Sequence, residues 1–141
     1  MDNTFNWKKF IIVTLVTSIW VNISEVFRYF IFVMPEMKTT LETVKGVAPM
    51  NFTVFSIWGA WDTLLTALAV FTFWIYAQKY GNNLKSVFTS GTLSWSFLFV
   101  LFWVAMVNMG LANWSILGIT LPLSWFEMVV ASYIASYMYK T

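Results

Sequence analysis

Four long apolar runs decide what this chain can fold into: roughly residues 10–34, 52–76, 87–109 and 116–139. A helix needs about 20 apolar residues to cross the hydrocarbon of a bilayer, and each run reaches that length. Only short tails and connections lie outside them. The composition agrees, with 60% hydrophobic and 10% charged residues, where a soluble domain carries about a quarter charged. The sequence therefore predicts an all-α fold. It is a single domain over 1–141, an integral, multi-pass membrane bundle of four transmembrane helices with the lipid bilayer as its partner and solvent.

Whole classes of chemistry drop out. The net charge of +2 gives no basic stripe, so nucleic acid is not an expected partner. There is no Cys and no His. That removes disulfides, thiolate or imidazole metal sites and every Ser-His or Cys-His catalytic pair. No cofactor or metal is implied. An Asp/Glu oxygen site for a hard cation is the one metal chemistry these residue types leave open.

Lysine placement predicts the orientation. Lys8, Lys9, Lys79, Lys85 and Lys140 fall at one side of a four-span chain, Lys38 and Lys45 at the other. Both termini are expected in the cytoplasm. The first run follows Lys8 and Lys9 but is too long for a signal peptide and carries Glu25 and Arg28, so it reads as a retained span. The first connection, PEMKTTLETVKGVAP, fits a short helix from Pro35 and Glu36 with Met37, Leu41 and Val44 on one face, lying over the outer mouth. An ordinary solvated connection fits equally. The compact third connection makes spans three and four antiparallel neighbours.

The candidate site comes from the charges that fall inside the spans. Of six acidic residues, Glu25, Asp62 and Glu127 lie within apolar runs, and Arg28 joins them. Each costs about 2.5–3.5 kcal/mol at the centre of a span, so something must offset it. At about 1.5 Å per residue, the three carboxylates reach similar depths, with Arg28 slightly nearer the outer surface. Helical steps of three and four put Asn22, Glu25, Arg28 and Tyr29 on one face of span one. Trp58, Asp62 and Thr66 share a face of span two, and Thr120, Ser124, Glu127 and Ala131 one of span four. Polar stripes turn inward because lipid cannot satisfy them. Arg28 can pair with Glu25 one turn away or bridge to Asp62 or Glu127. Three carboxylates against one guanidinium leave two surplus negative charges. At least one acid is then expected to hold a proton, or a bound cation to supply the balance.

Other residues shape the surroundings. Trp58 and Trp61 flank Asp62 and could contact an amphipathic cation, and Asn108 could close the top of the site. Pro122 is expected to kink or loosen span four one turn before Glu127. Ala131 with Ala135, and Ser132 with Ser136, are small pairs that could pack helices inside the bundle or between the protomers of a homodimer.

Four spans with a glutamate in the first are similar in outline to the small multidrug-resistance transporters. Intramembrane carboxylates with tryptophans are similar in outline to the emopamil-binding and sigma-2 type sterol-handling proteins. Both likenesses are of architecture and transfer no residues. The leading expectation is an acidic, Trp-lined pocket that binds a small amphipathic, cationic molecule or transports it coupled to protons. Glu25, Arg28, Asp62, Glu127, Asn22, Trp58, Trp61 and Ser124 would form it, and binding is favoured over catalysis. One alternative is a lipid- or isoprenoid-modifying enzyme using paired carboxyls as acid and base. Another is an accessory membrane subunit whose buried ion pairs only fix assembly.

Overall fold

The computed structural model describes residues 4–43 and 49–140, which are helical almost throughout, with no strand among them. Helix α1 (Trp7–Arg28) passes through one π-helical turn, Tyr29–Val33, into α2 (Met34–Thr43) without a break. Helix α3 (Phe52–Tyr80) is the second span. The third begins as α4 (Leu84–Trp95), passes through a second π-helical turn, Ser96–Val100, and ends as α5 (Leu101–Asn108). Helix α6 (Trp114–Lys140) is the fourth. Among the described residues, four continuous helices are long and apolar enough to cross a membrane: Trp7–Lys38, Phe52–Tyr80, Leu84–Asn108 and Trp114–Lys140.

Asparagine starts three of these helices. The side chains of Asn6, Asn51 and Asn83 each accept a hydrogen bond, at 3.0 Å, from the backbone N–H three residues on: Lys9, Val54 and Ser86. This satisfies donors that the first helical turn leaves unpaired. Gly81, at φ 84°, ends α3 in a conformation that suits glycine.

The first connection differs from its expected form. The helix over Met34–Thr43 is not a separate element but an extension of span one. Pro35 sits in the first turn of α2, two residues after the π turn ends. Met37 is buried and belongs to the same apolar cluster as Val107, Ala112 and Ile116. Ser115 donates to Glu36 Oε1 at 2.9 Å, so the extension is tied to the start of α6. Val44 and Lys45 lie outside the described residues, and so does the side chain of Leu41.

The helices pack as a ring, α1 against α3, α3 against α4, α4 against α6 and α6 against α1, with α3 and α6 touching across the middle. Spans three and four are thus neighbours, as expected. Large apolar side chains such as Ile19, Phe27, Leu64 and Phe97 face outward, while small and hydroxylated residues fill the inside. Lipid tails are as apolar as leucine, so close backbone approach and interhelical hydrogen bonds hold such bundles together. The α4–α6 seam shows this. Ser86, Val87, Ser90, Gly91 and Ser94 form the buried face of α4. A Cβ added at Gly91 would lie 2.8 Å from the Val129 Cα, closer than real contacts allow. Trp95 Nε1 donates to the Leu121 carbonyl (2.8 Å) and Trp125 Nε1 to Thr92 Oγ1 (3.0 Å) across the same seam. Ala131, Ser132, Ala135 and Ser136 are all buried, so the small pairs of span four are used inside this bundle.

Helix α6 continues through Pro122, which has no N–H to offer the Gly118 carbonyl. An open apolar groove of about 470 Å³ lies there, lined by Trp95, Leu117, Gly118, Leu121, Pro122 and Trp125.

Candidate functional site

The site is built where α1 meets α6. Arg28 ends α1, immediately before the first π turn, and its side chain is 3% exposed. Nη1 donates to Glu127 Oε2 at 3.1 Å, and Nη2 contacts Glu25 Oε1 on its own helix. One guanidinium therefore spans two carboxylates on two helices. Its Cζ also lies over the ring of Phe99, 4.8 Å from the centroid, so the cation is held by an aromatic face as well. Phe99 belongs to the second π turn. Both π turns thus border Arg28, and such turns gather at functional sites in helical proteins.

Glu127 is completely buried. Its Oε2 accepts from Arg28 and, at 2.7 Å, from the Ser24 hydroxyl. Trp20 Nε1 donates to the Glu127 main-chain carbonyl at 3.1 Å. Glu127 Oε1 is buried with no hydrogen-bond partner among the described residues. A buried ion pair gains Coulomb energy in low dielectric but must first repay the desolvation of both charges. The extra donors from Ser24 and the Phe99 face contribute to that repayment.

Asp62 has a different setting. It is only partly buried, and its carboxylate makes no ion pair or hydrogen bond among the described residues. It lies within electrostatic range of Glu25 and Arg28. Its main-chain carbonyl accepts from Thr66 Oγ1 at 2.7 Å. Glu25 is 20% exposed, so it and Asp62 both sit at the rim between α1 and α3 while Glu127 sits behind them.

Among the sequence-derived candidates, Glu25, Arg28 and Glu127 come together and Asp62 lies beside them. Asn22 bonds the Ser18 carbonyl at 2.9 Å, and its Oδ1 would lie 3.2 Å from a Cβ at Gly59, so it occupies the α1–α3 crossing. Ser124 is buried but donates to the Leu121 carbonyl of its own helix at 3.1 Å. Trp58 and Trp61 are 49% and 53% exposed. They lie on the outer surface and do not wall an inward cavity, because Asp62 itself stands at the rim of the α1–α3 contact. Asn108 is exposed and closes nothing.

Three contributors were not among the candidates: Trp20, Ser24 and Phe99. Two of them carry a signal. Trp20, Ser24 and Arg28 step by four along α1 and all three reach Glu127. Phe99 carries none, being one aromatic in an apolar run.

Comparison with protein-family models, with curated proteins and with solved structures finds no match.

Proposed function

We propose that this chain is a small integral membrane protein that binds a small amphipathic cation from within the bilayer, and exchanges protons as it does so. The reading rests on one observation: Arg28 is committed to Glu25 and Glu127, which leaves the mid-span Asp62 carboxylate at the rim without a partner among the described residues. An ionised carboxylate is costly at that depth. A proton or an organic cation would relieve it. Trp58 and Trp61, exposed on the same helix, offer ring faces to an apolar cation arriving laterally. The lysine distribution supports both termini in the cytoplasm.

The test is binding of tetraphenylphosphonium to the protein in lipid nanodiscs at a series of pH values. Protonated carboxyls lose the charge that attracts the cation, so affinity is expected to rise with pH. It is expected to fall in Asp62→Asn.

A second reading has its own support. The Glu25–Arg28–Glu127 cluster is closed and joins α1 to α6, as a purely structural lock would. An accessory subunit of that kind would co-purify with a larger membrane partner and bind no cation.

A further inference from the structure

Gly91 and Gly118 both lie inside helices, for different reasons. Gly91 is required by packing, because a Cβ there would lie 2.8 Å from the Val129 Cα. Gly118 is not. A Cβ there would meet no atom within 4 Å, although glycine weakens a helix relative to alanine. Gly118 instead lines the apolar groove of about 470 Å³ at the α4–α6 seam, with Trp95, Leu117, Leu121, Pro122 and Trp125.

The walls of this groove are fixed and almost bare of polar groups. Both indoles are held by hydrogen bonds to protein, Trp95 Nε1 to the Leu121 carbonyl and Trp125 Nε1 to Thr92 Oγ1. Only their ring surfaces are left for an occupant. No charged side chain lines the groove. One polar atom remains. Pro122 lacks the N–H that would close the helical hydrogen bond to the Gly118 carbonyl. In membrane helices such freed carbonyls are met by neighbouring helices or by Ser and Thr side chains. Here the donors at hand, Trp95 and Ser124, both go to the Leu121 carbonyl. No side chain among the described residues donates to Gly118, so its carbonyl keeps acceptor capacity that lipid tails cannot use.

Depth fixes the orientation of what fits. Gly118 is four residues from the start of α6, about 6 Å along the axis, and Trp125 is eleven residues from it, about 17 Å. The groove therefore runs from just below the membrane surface to the middle of a hydrocarbon layer about 30 Å thick. The free acceptor lies toward its shallow end and the Trp125 ring at its deep end. A lipid alcohol has the same layout, with an uncharged hydroxyl near the surface and an apolar chain below it.

We propose that this groove holds one neutral long-chain alcohol of the membrane, its hydroxyl donating to the Gly118 carbonyl and its chain lying against the Trp95 and Trp125 rings. A charged head group would find no counter-ion there, and a plain hydrocarbon chain would leave the carbonyl unmet. The volume is in the range of small-molecule sites. Because the groove is open, its occupant enters sideways from lipid. Asp62, at the α1–α3 rim, takes no part in it.

Photo-crosslinking of the protein in phosphatidylcholine nanodiscs tests this. The probe is hexadecanol with a diazirine in its chain, and labelled residues are mapped by mass spectrometry. Labelling is expected to concentrate on Trp95 and on α6 between Leu117 and Trp125. Unlabelled hexadecanol is expected to compete better than hexadecyl methyl ether, which has the chain but no donor, by about tenfold or 1.4 kcal/mol. Pro122→Ala returns a helical N–H to the Gly118 carbonyl and is expected to erase that preference. Gly118→Leu is expected to fill the groove and abolish labelling there, in a protein whose circular dichroism matches the wild type. Equal competition by alcohol and ether in the wild type overturns the proposal, with no variant needed. So does labelling spread evenly over the lipid-facing surface, or groove labelling that survives Gly118→Leu. An unlabelled groove in a dimer that Gly118→Leu dissociates assigns the face to a second copy, and also overturns it.

Discussion

Glu127 and Asp62 are the same kind of feature in the sequence, a lone acid in the middle of an apolar run, yet the fold treats them in opposite ways. Glu127 is wholly buried, paired with Arg28, hydrogen-bonded by Ser24 and anchored through its backbone by Trp20. Asp62 is half-buried at the α1–α3 rim with no ion pair or hydrogen bond to its carboxylate among the described residues. The difference follows from where Arg28 points. Its helix packs against both α3 and α6, and its guanidinium turns to α6. One cation can neutralise only part of three carboxylates. The one held behind the rim becomes structure, and the one left at the rim is available to something else.

That contrast can be broken in graded steps. Arg28→Ala should have the largest effect, a loss of about 3–5 kcal/mol, because it strands a buried carboxylate without its counter-ion. Unfolding of the nanodisc or micelle-embedded protein by denaturant would measure it. Glu127→Gln keeps the shape and an acceptor for Ser24 but removes the charge. It should cost about 1.5–3 kcal/mol, the worth of hydrogen bonds to a charged group, in the same assay. Ser24→Ala removes one interhelical hydrogen bond and should cost about 0.6 kcal/mol and at most about 1.7 kcal/mol, the mean and maximum measured for such bonds inside membranes. Asp62→Asn should change stability by under about 0.5 kcal/mol, as for a substitution that breaks no pairing. If Asp62→Asn proved as damaging as Glu127→Gln, the two acids would share one role and the contrast would fail.

The four spans and the ionisable residues at their mid-depth were legible because a bilayer imposes length and charge limits that a sequence displays directly. So was the idea that Arg28 bridges carboxylates. Which carboxylate it takes was not legible. Spacing gives the face of Glu25 or Asp62 relative to its own helix, but not the rotation of that helix about the bundle axis. Helix α3 carries only the short Asp62–Thr66 stripe in an otherwise apolar surface, which fixes that rotation too loosely to tell that Trp58 and Trp61 lie outside. The π turns at Tyr29–Val33 and Ser96–Val100 add a residue to the helical ladder without altering an all-apolar pattern. They hid both the continuity into α2 and the approach of Phe99 to Arg28. The Ser86, Ser90, Ser94 stripe on α4 was readable at four-residue steps, and it marks the seam that receives the small residues of α6.

The division of labour between the two acids is tested most directly by tetraphenylphosphonium binding to wild type, Asp62→Asn and Glu127→Gln in nanodiscs, each titrated from acidic to alkaline pH. The account predicts affinity that rises with pH in the wild type, is lost in Asp62→Asn while that variant stays folded, and persists in weakened form in Glu127→Gln. Affinity independent of pH and equal in all three proteins would contradict it, and would leave the Glu25–Arg28–Glu127 cluster as a lock between helices.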